Sequence, residues 1–280
     1  MDPGRVVGTD TLSSEKLIET YVRRVTTHPR WEDFSIQSSD LEDAIRAGAF
    51  DAKSLFVWLL GRITGSEPSV RIGEKTPRHE QFISRIIELF PDAKFIHIHR
   101  DPRDVILSMS QRPWAKNTST FAKAHRCLNA YQRTQNLQRR DGCRRIIDVS
   151  YERLVTEPEN ELRRVCDFLD EQFDAAMLRY HERDETGYVQ RESEWKALTT
   201  KPIDRSRIGR FRGRLSSQEI RVIEHVVGGH LIRLGYEPEP GVPQMSLSLK
   251  SRMYIEHAIA RCRSLIAHMF AKLSGRSGVE

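Results

Sequence analysis

The stretch Lys94-Phe-Ile-His-Ile-His-Arg-Asp-Pro-Arg-Asp-Val-Ile-Leu-Ser-Met109 decides the fold of this chain. Its first six residues have the length and apolar character of a buried strand. Asp101 then supplies a helix cap and Pro102 a first helical residue, so the pattern predicts a strand that runs directly into a helix. Arg100 stands at this junction, where a helix N-terminus favours bound anions. The stretch therefore predicts a phosphate-binding turn.

A second strand and many helices are predicted around this junction. Arg145-Ile-Ile-Asp-Val-Ser150 reads as a strand that follows a long polar helix at 119–140. Strands that alternate with helices indicate an α/β domain with a parallel sheet. The charged residues 180–214 are predicted to form a loop. Further helices are predicted within 13–63, from a Thr76 cap to Phe90, after a Thr156–Glu159 capping box, and from a Ser216–Glu219 capping box to Gly235.

Length and proline placement indicate one main domain with an appendage. The 280 residues, of which 38% are hydrophobic, are sufficient for one domain over 1–240. A proline-containing linker and an amphipathic helix are predicted over 241–280. The apolar side of this helix could contact a second subunit in a homodimer, contact a membrane surface, or cover the core of its own domain. The last of these is favoured. Its apolar residues alternate at spacings of four and three, as in a heptad seam: Ile255, Ile259, Cys262, Ile266, Met269 and Leu273.

Charge and cysteine content narrow the class of protein. The net charge of +6 permits anionic partners, but the basic residues are dispersed, so nucleic-acid binding is not favoured. No stretch of about 18 apolar residues occurs that could span a membrane, and the N-terminus has no apolar secretion segment. We therefore expect a cytoplasmic protein. Its four cysteines lack C-x-x-C spacing, which favours reduced thiols over a zinc site or a disulfide framework.

Four polar or aromatic residues are candidates for a ligand site. Arg100 offers a fork of donors for phosphate oxygens, and Ser108 adds a hydroxyl two helical turns later. Lys75, within Gly73-Glu-Lys-Thr-Pro77, and Tyr151, after the second strand, are expected at the same sheet edge, where open α/β folds bind ligands. The competing interpretation is a surface ion-pair cluster of Arg100, Asp101, Arg103 and Asp104 around an ordinary helix cap.

These residues occur in four blocks that resemble the sulfotransferase family that uses 3′-phosphoadenosine 5′-phosphosulfate (PAPS), especially its bacterial branch. The blocks lie at 73–77, 90–97, 100–105 and 151–154, and the resemblance covers roughly 13–240. It implies a P-loop-like three-layer α/β fold, in which many helices flank a short parallel sheet. The family's first strand and 5′-phosphosulfate loop have no clear match in this chain. Only Val6-Val-Gly-Thr9 resembles that segment, and the resemblance is weak. The chain is therefore expected to be N-terminally incomplete.

The resemblance implies a role for each candidate in cofactor binding. Arg100 and Ser108 would hold the 3′-phosphate of PAPS, and Tyr151 would lie near its adenine. The segment Asp204-Arg-Ser-Arg-Ile-Gly-Arg-Phe211 resembles the family's Gly-aromatic block, whose basic loop closes over the 3′-phosphate. Arg205 and Ser206 match positions in that loop.

The resemblance also implies the catalytic residues. Lys75 matches a family lysine near the sulfuryl group, where its charge would offset negative charge that develops during transfer. Some members carry a histidine two residues after this lysine, but Pro77 stands there in this chain. His79 or Glu74, which flank Lys75, are the alternative catalytic bases.

The implied reaction is transfer of a sulfuryl group from PAPS to a hydroxyl or amine of a small-molecule, glycan or lipid acceptor. This chemistry requires no metal, and no nucleic acid is expected as a partner beyond the nucleotide donor. A chain without the phosphosulfate loop would bind the nucleotide and be inactive in transfer. The alternative is a non-catalytic nucleotide-binding or scaffolding relative of the same fold.

Overall fold

A computed structural model describes residues 15–29, 31–47, 51–65, 71–141, 144–182 and 200–242, with 245–248, 250–251, 253–255, 258–259 and 262. These residues belong to two compact units, one that ends at Ala93 and one that begins at Lys94. In this described part of the chain, no helix combines the length and the apolar character needed to cross a bilayer. The N-terminal segment Val6 to Thr9 lies outside the described residues.

The first unit is helical, as its sequence predicts. It contains α1 (Glu15–Thr26), α2 (Ser38–Arg46), α3 (Ala52–Thr64) and α4 (Ile83–Leu89). Asp51 caps α3, since its carboxylate accepts a hydrogen bond from the Ser54 N–H. Apolar residues spaced at three and four along α1 and α2 turn to one side and build the core of this unit. The buried members of that core are Ile18, Val22, Trp31, Ile36, Leu41 and Ile45.

The helix predicted from Thr76 begins later than expected. Arg78 has a left-handed backbone conformation with φ 74°, which separates the Thr76 region from a 3₁₀ turn at His79–Gln81 and from α4. The Thr76 hydroxyl donates to the Glu74 carboxylate instead of capping a helix. The prediction of a Thr76 cap is therefore wrong, because the left-handed backbone conformation of Arg78 separates Thr76 from the helix α4.

The second unit holds the sheet, and both predicted strands are confirmed. β1 (Phe95–His99) and β2 (Ile146–Ser150) are parallel, in a register that pairs Phe95 with Ile146 and His99 with Ser150. The chain is thus an α/β fold with a short parallel sheet flanked by helices. Those helices are α5 (Pro102–Ser110), α6 (Thr120–Asp141), α7 (Tyr151–Thr156), α8 (Pro158–Leu169) and α9 (Ser217–Arg233).

The core of the second unit lies where α5, α6 and α9 meet. Its position matters because α5 starts at the junction that follows β1, so this core fixes the end of the strand. Most of the contributing side chains are aliphatic residues of the three helices, and Cys127, Tyr131, Phe211 and Leu215 complete the cluster. The members with no solvent exposure are Ile106, Ala124, Phe211, Ile223, Val227 and Leu231.

Two of the three predicted helix caps in this unit are confirmed. Asp101 caps α5 through a hydrogen bond from the Arg103 N–H to its carboxylate, and Ser216 forms a reciprocal capping box with Glu219. The Thr156–Glu159 box is wrong. Thr156 is the last residue of α7, and its hydroxyl donates to the carbonyl of Glu152 one turn earlier. Pro158 starts α8 directly afterwards.

The C-terminal segment contacts the second unit through methionines. Met245 and Met253 are buried against Phe121 and Val222. The described part of the predicted seam faces solvent, because Ile255 is 59% and Ile259 47% exposed and Cys262 is exposed. This differs from the expectation that the seam covers the core of its own domain. The domain boundary at 240 stays a prediction, and Ile266, Met269 and Leu273 lie outside the described residues.

Two isoleucines of α9 allow the core to be tested. Ile223→Ala should lower the free energy of unfolding by about 2–5 kcal/mol, because it leaves a cavity among fully buried side chains. The matched control is Ile232→Ala on the same helix, where the side chain is 64% exposed and the change should stay within about 0.5 kcal/mol. Urea unfolding followed by circular dichroism measures both. Equal losses would contradict the described packing of α9.

Candidate functional site

Arg100 lies at the centre of the candidate site, directly after β1. Its guanidinium carbon is 4.4 Å from the centroid of the Tyr151 ring, so the two predicted ligand residues are in contact. Its Nη2 donates to Asp104, at 3.2 Å, and to the carbonyl of Arg207. Its Nε is buried and has no hydrogen-bond partner among the described residues. An unsatisfied buried donor is costly, so the described contacts leave this guanidinium incompletely satisfied.

Two backbone N–H groups at the start of α5 already have acceptors within the protein. The Asp101 N–H donates to Glu152 Oε1 at 3.0 Å, and the Arg103 N–H donates to Asp101 Oδ1 at 2.9 Å. Pro102 has no N–H. Carboxylates of the protein therefore already accept the N–H groups of Asp101 and Arg103, so these two donors are not free as expected.

The charged residues of the junction form a buried network. Arg103 is 2% exposed and donates to Asp101, at 2.7 Å, and to Glu224, also at 2.7 Å. Burial opposes its charge, but the two carboxylates outweigh burial and raise the pKa of Arg103. The interpretation of a surface ion-pair cluster is therefore wrong about its location. Ion pairs of this kind are expensive to break, because a lone buried charge remains.

Asp104 joins α5 to the segment 204–211. Its side chain is fully buried, and its two oxygens accept the N–H groups of Gly209 and Phe211, each at 2.8 Å. One of these oxygens also accepts from Arg100. Gly209 has φ 69°, a conformation that glycine adopts without strain. Asp104 therefore holds the predicted Gly-aromatic block beside Arg100.

The other predicted phosphate ligands lie in the same unit as Arg100. Arg205, within a 3₁₀ turn at Arg205–Arg207, donates from Nη2 to the carbonyl of Thr156 at 2.8 Å. The Ser206 N–H donates to the Asp204 carboxylate at 2.8 Å. Ser108 is partly buried on α5. Their roles toward a phosphate stay predictions.

The predicted catalytic residues belong to the first unit. His79 Nδ1 lies 3.1 Å from Glu74 Oε2, so the two alternative bases form a pair. Lys75 is exposed between them in sequence. The placement of Lys75 near the sulfuryl group stays a prediction, as do the roles of His79 and Glu74.

Sequence reasoning missed a set of linked polar groups next to the junction. His99 Nδ1 is 3.2 Å from the Tyr236 hydroxyl, which donates to Glu152 Oε2 at 2.7 Å. Burial and the hydrogen bond to Glu152 raise the pKa of Tyr236, and burial lowers the pKa of His99. Glu152 belongs to the Tyr-Glu-Arg-Leu block, which could have indicated it. Tyr236 carries no sequence signal beyond its position after Gly235, where α9 has ended.

The same groups border a cavity of about 490 Å³. Its polar wall also includes Asp148, which pairs with His97 at 2.7 Å and accepts from Gln138. Burial favours the neutral acid, but these hydrogen bonds outweigh it and lower the pKa of Asp148. The lining consists of His99, Asp148, Ser150, Glu152, Arg153, Arg164, Leu234, Gly235 and Tyr236, without Arg100 or Tyr151.

Comparison with known sequences shows a consistent likeness. Residues 7–175 match a family model described as "Sulfotransferase family". The chain is 30% identical over 208 residues to a "Putative protein-tyrosine sulfotransferase" of Caenorhabditis briggsae, covering 73% of this chain and 74% of that protein. It is 28% identical to the "Protein-tyrosine sulfotransferase" of Drosophila melanogaster, covering 63% of this chain but only 37% of that protein.

Comparison with solved structures shows a likeness of fold. The "Sulfotransferase Domain from the Synechococcus PCC 7002 Olefin Synthase" superposes with a TM-score of 0.54 at 19% identity. The match covers 74% of this chain and 79% of that domain. The α/β fold expected from the resemblance is therefore confirmed.

The role of Asp104 as an internal acceptor predicts a large loss of stability when its charge is removed. Asp104→Asn presents an amide in place of an oxygen that accepts buried donors, so unfolding should become easier by about 3–5 kcal/mol. The control Asp204→Asn alters an exposed cap of a single 3₁₀ turn and should cost about 1 kcal/mol or less. Chemical denaturation compares the two. If Asp104→Asn is as stable as its control, the hydrogen bonds from Gly209, Phe211 and Arg100 to Asp104, here called the Asp104 clamp, do not hold this segment.

The lowered pKa of His99 predicts how stability depends on pH. The unfolded chain, with a histidine pKa near 6.5, binds more protons than the folded chain at slightly acidic pH. The free energy of unfolding should therefore fall as pH drops below about 6.5. His225 and His230, whose pKa values burial also lowers, contribute with the same sign. Thermal unfolding between pH 7.5 and 5.5 should show a smaller loss in His99→Gln than in the unsubstituted protein.

Proposed function

Because this chain belongs to the sulfotransferase family, we propose that it transfers a sulfuryl group from PAPS to a hydroxyl acceptor. The names of its relatives support a phenolic hydroxyl, such as that of tyrosine, as the first acceptor to test. The donor would supply the activated sulfuryl group. The residues of this chain would bind the nucleotide, orient the acceptor and take up its proton.

One observation carries the proposal: Arg100 and Tyr151 form a cation–aromatic pair with an unsatisfied guanidinium donor. The guanidinium carbon lies 4.4 Å from the ring centroid, and the buried Nε has no acceptor among the described residues. Arginine recognises phosphate oxygens through such donors, and an aromatic ring beside it suits a nucleotide base. The residues present therefore fit a phosphorylated nucleotide.

Cofactor binding would assign the candidates as the family resemblance implies. Arg100, with Ser108, Arg205 and Ser206, would hold the 3′-phosphate, and Tyr151 would lie near the adenine. The bond from Arg205 to the carbonyl of Thr156 would then have to be exchanged for one to phosphate. The clamp at Asp104 supports this assignment, because it holds the chain that carries Arg205 and Ser206 beside Arg100.

The proposed chemistry is a single displacement at sulfur. A bond forms between the acceptor oxygen and sulfur, the bond from sulfur to the 5′-phosphate oxygen breaks, and the acceptor proton passes to a base. Lys75 would stabilise the negative charge that develops. His79 would act as the base, with Glu74 holding its ring at 3.1 Å, or Glu74 would take the proton itself.

Titration with 3′,5′-phosphoadenosine in a calorimeter tests nucleotide binding. Arg100→Ala should weaken binding at least about tenfold, since it removes a charged hydrogen-bond donor to phosphate. Arg163→Ala, an exposed arginine that pairs with Glu159 on α8, should leave the affinity unchanged. If the unsubstituted chain does not bind the nucleotide, the proposed function is wrong.

A transfer assay with ³⁵S-labelled PAPS and a tyrosine-containing peptide tests catalysis. Lys75→Ala should lower kcat by about 10²-fold through lost charge stabilisation, while the affinity for 3′,5′-phosphoadenosine changes little. The control Lys16→Ala removes an exposed lysine of α1 and should have full activity. Nucleotide binding without transfer to any hydroxyl would contradict the proposed transfer, and would favour either a non-catalytic nucleotide-binding relative or the inactivity expected of a chain without the phosphosulfate loop.

A further inference from the structure

Glu152 accepts hydrogen bonds from three separate parts of the second unit. Its Oε1 accepts the Asp101 N–H at 3.0 Å, from the turn between β1 and α5. Its Oε2 accepts the Ser150 hydroxyl at 2.9 Å and the Tyr236 hydroxyl at 2.7 Å. Ser150 ends β2, and Tyr236 follows α9. One carboxylate therefore joins both strand ends to the chain that leaves α9.

The hydrogen bond from Asp101 to Glu152 lies one residue beyond the contact between Arg100 and Tyr151 on each of the two chain segments. Asp101 follows Arg100, and Glu152 follows Tyr151, so the bond between Asp101 and Glu152 continues the connection of the two segments past the last strand pair, His99 with Ser150. In this arrangement the Arg100 guanidinium lies 4.4 Å from the Tyr151 ring centroid. A second contact supports the arrangement, because His99 Nδ1 lies 3.2 Å from the Tyr236 hydroxyl and orients it toward Glu152.

We propose that Glu152 is a positioning residue that holds Arg100 and Tyr151 in the geometry that receives the phosphorylated nucleotide. The inference rests on the proposed function, since it concerns the same site. It makes a prediction opposite in sign to simple electrostatics. A carboxylate near an anion site repels the anion, so removing its charge should strengthen binding if the charge were all that mattered. A positioning role predicts weaker binding.

Titration of 3′,5′-phosphoadenosine into three single variants separates these possibilities. Glu152→Ala should weaken binding about tenfold, because the Asp101 N–H loses its acceptor and the Arg100–Tyr151 pair is no longer held. Glu152→Gln retains an oxygen for Asp101 and should restore most of the affinity. The matched control Glu159→Ala removes an exposed glutamate that pairs with Arg163, and it should bind like the unsubstituted chain. Unchanged or tighter binding by Glu152→Ala overturns the inference.

A double-mutant cycle with Arg100 distinguishes positioning from general loosening. In an Arg100→Ala background, Glu152→Ala should change the affinity by less than about twofold, because no guanidinium remains to be positioned. An equal effect in both backgrounds would mean that Glu152 acts on the fold as a whole, and would overturn the proposal. Tyr236→Phe, which keeps the ring and removes only the hydroxyl, should weaken binding about threefold and provides the test if Glu152→Ala does not fold.

The two proposals fail in different ways. If the unsubstituted chain binds and Arg100→Ala weakens binding, while Glu152→Ala and Tyr236→Phe do not, the inference on Glu152 is wrong and the nucleotide site stands. If the unsubstituted chain does not bind 3′,5′-phosphoadenosine, both proposals are overturned.

Discussion

The constraint on which the site depends is the burial of the Asp104 carboxylate. A fully buried carboxylate must be surrounded by donors, and this one finds them in Gly209, Phe211 and Arg100. Those donors come from chain positions more than a hundred residues apart. Satisfying a single charge thus brings the segment after residue 204 against the start of α5, and it orients Arg100 in the same step. The core packing of Ile106 and Phe211 stabilises the arrangement, since both side chains are fully excluded from solvent.

Much of the second unit could be predicted from local sequence. Both strands, the Asp101 cap and the Ser216 capping box depend on residues close in the chain, and the structure confirms each of them. The wrong predictions share a physical cause. Thr76 and Thr156 are residue types that cap helices. However, the Thr76 hydroxyl donates to Glu74 and the Thr156 hydroxyl donates to the carbonyl of Glu152, because Arg78 is left-handed and Thr156 belongs to the short helix α7. Local pattern cannot show which competing hydrogen bond a hydroxyl makes.

The site could be predicted less fully, because its decisive contacts are long-range. The proximity of Arg100 and Tyr151 followed from parallel strands that end at one edge, and it is confirmed. The connection of Glu152 to Tyr236 spans 84 positions and joins residues that no shared motif links. Two of the N–H groups expected to be free at α5 have acceptors, and one of these acceptors is the carboxylate of Glu152 on α7. A tertiary partner thus accepts a donor that local sequence left open.

The charge balance of the network bears on how an anion would be held there. Asp101, Asp104, Glu152 and Glu224 provide four carboxylates, whereas Arg100 and Arg103 provide two guanidiniums. The immediate junction is therefore acidic overall, and Arg100 alone does not neutralise both it and a phosphate. The segment 204–211 held by Asp104 adds net positive charge, because it carries Arg205, Arg207 and Arg210 against one carboxylate, that of Asp204. The carboxylate that adds negative charge to the junction also brings these arginines beside it, so the acidic network and the basic segment form one electrostatic unit.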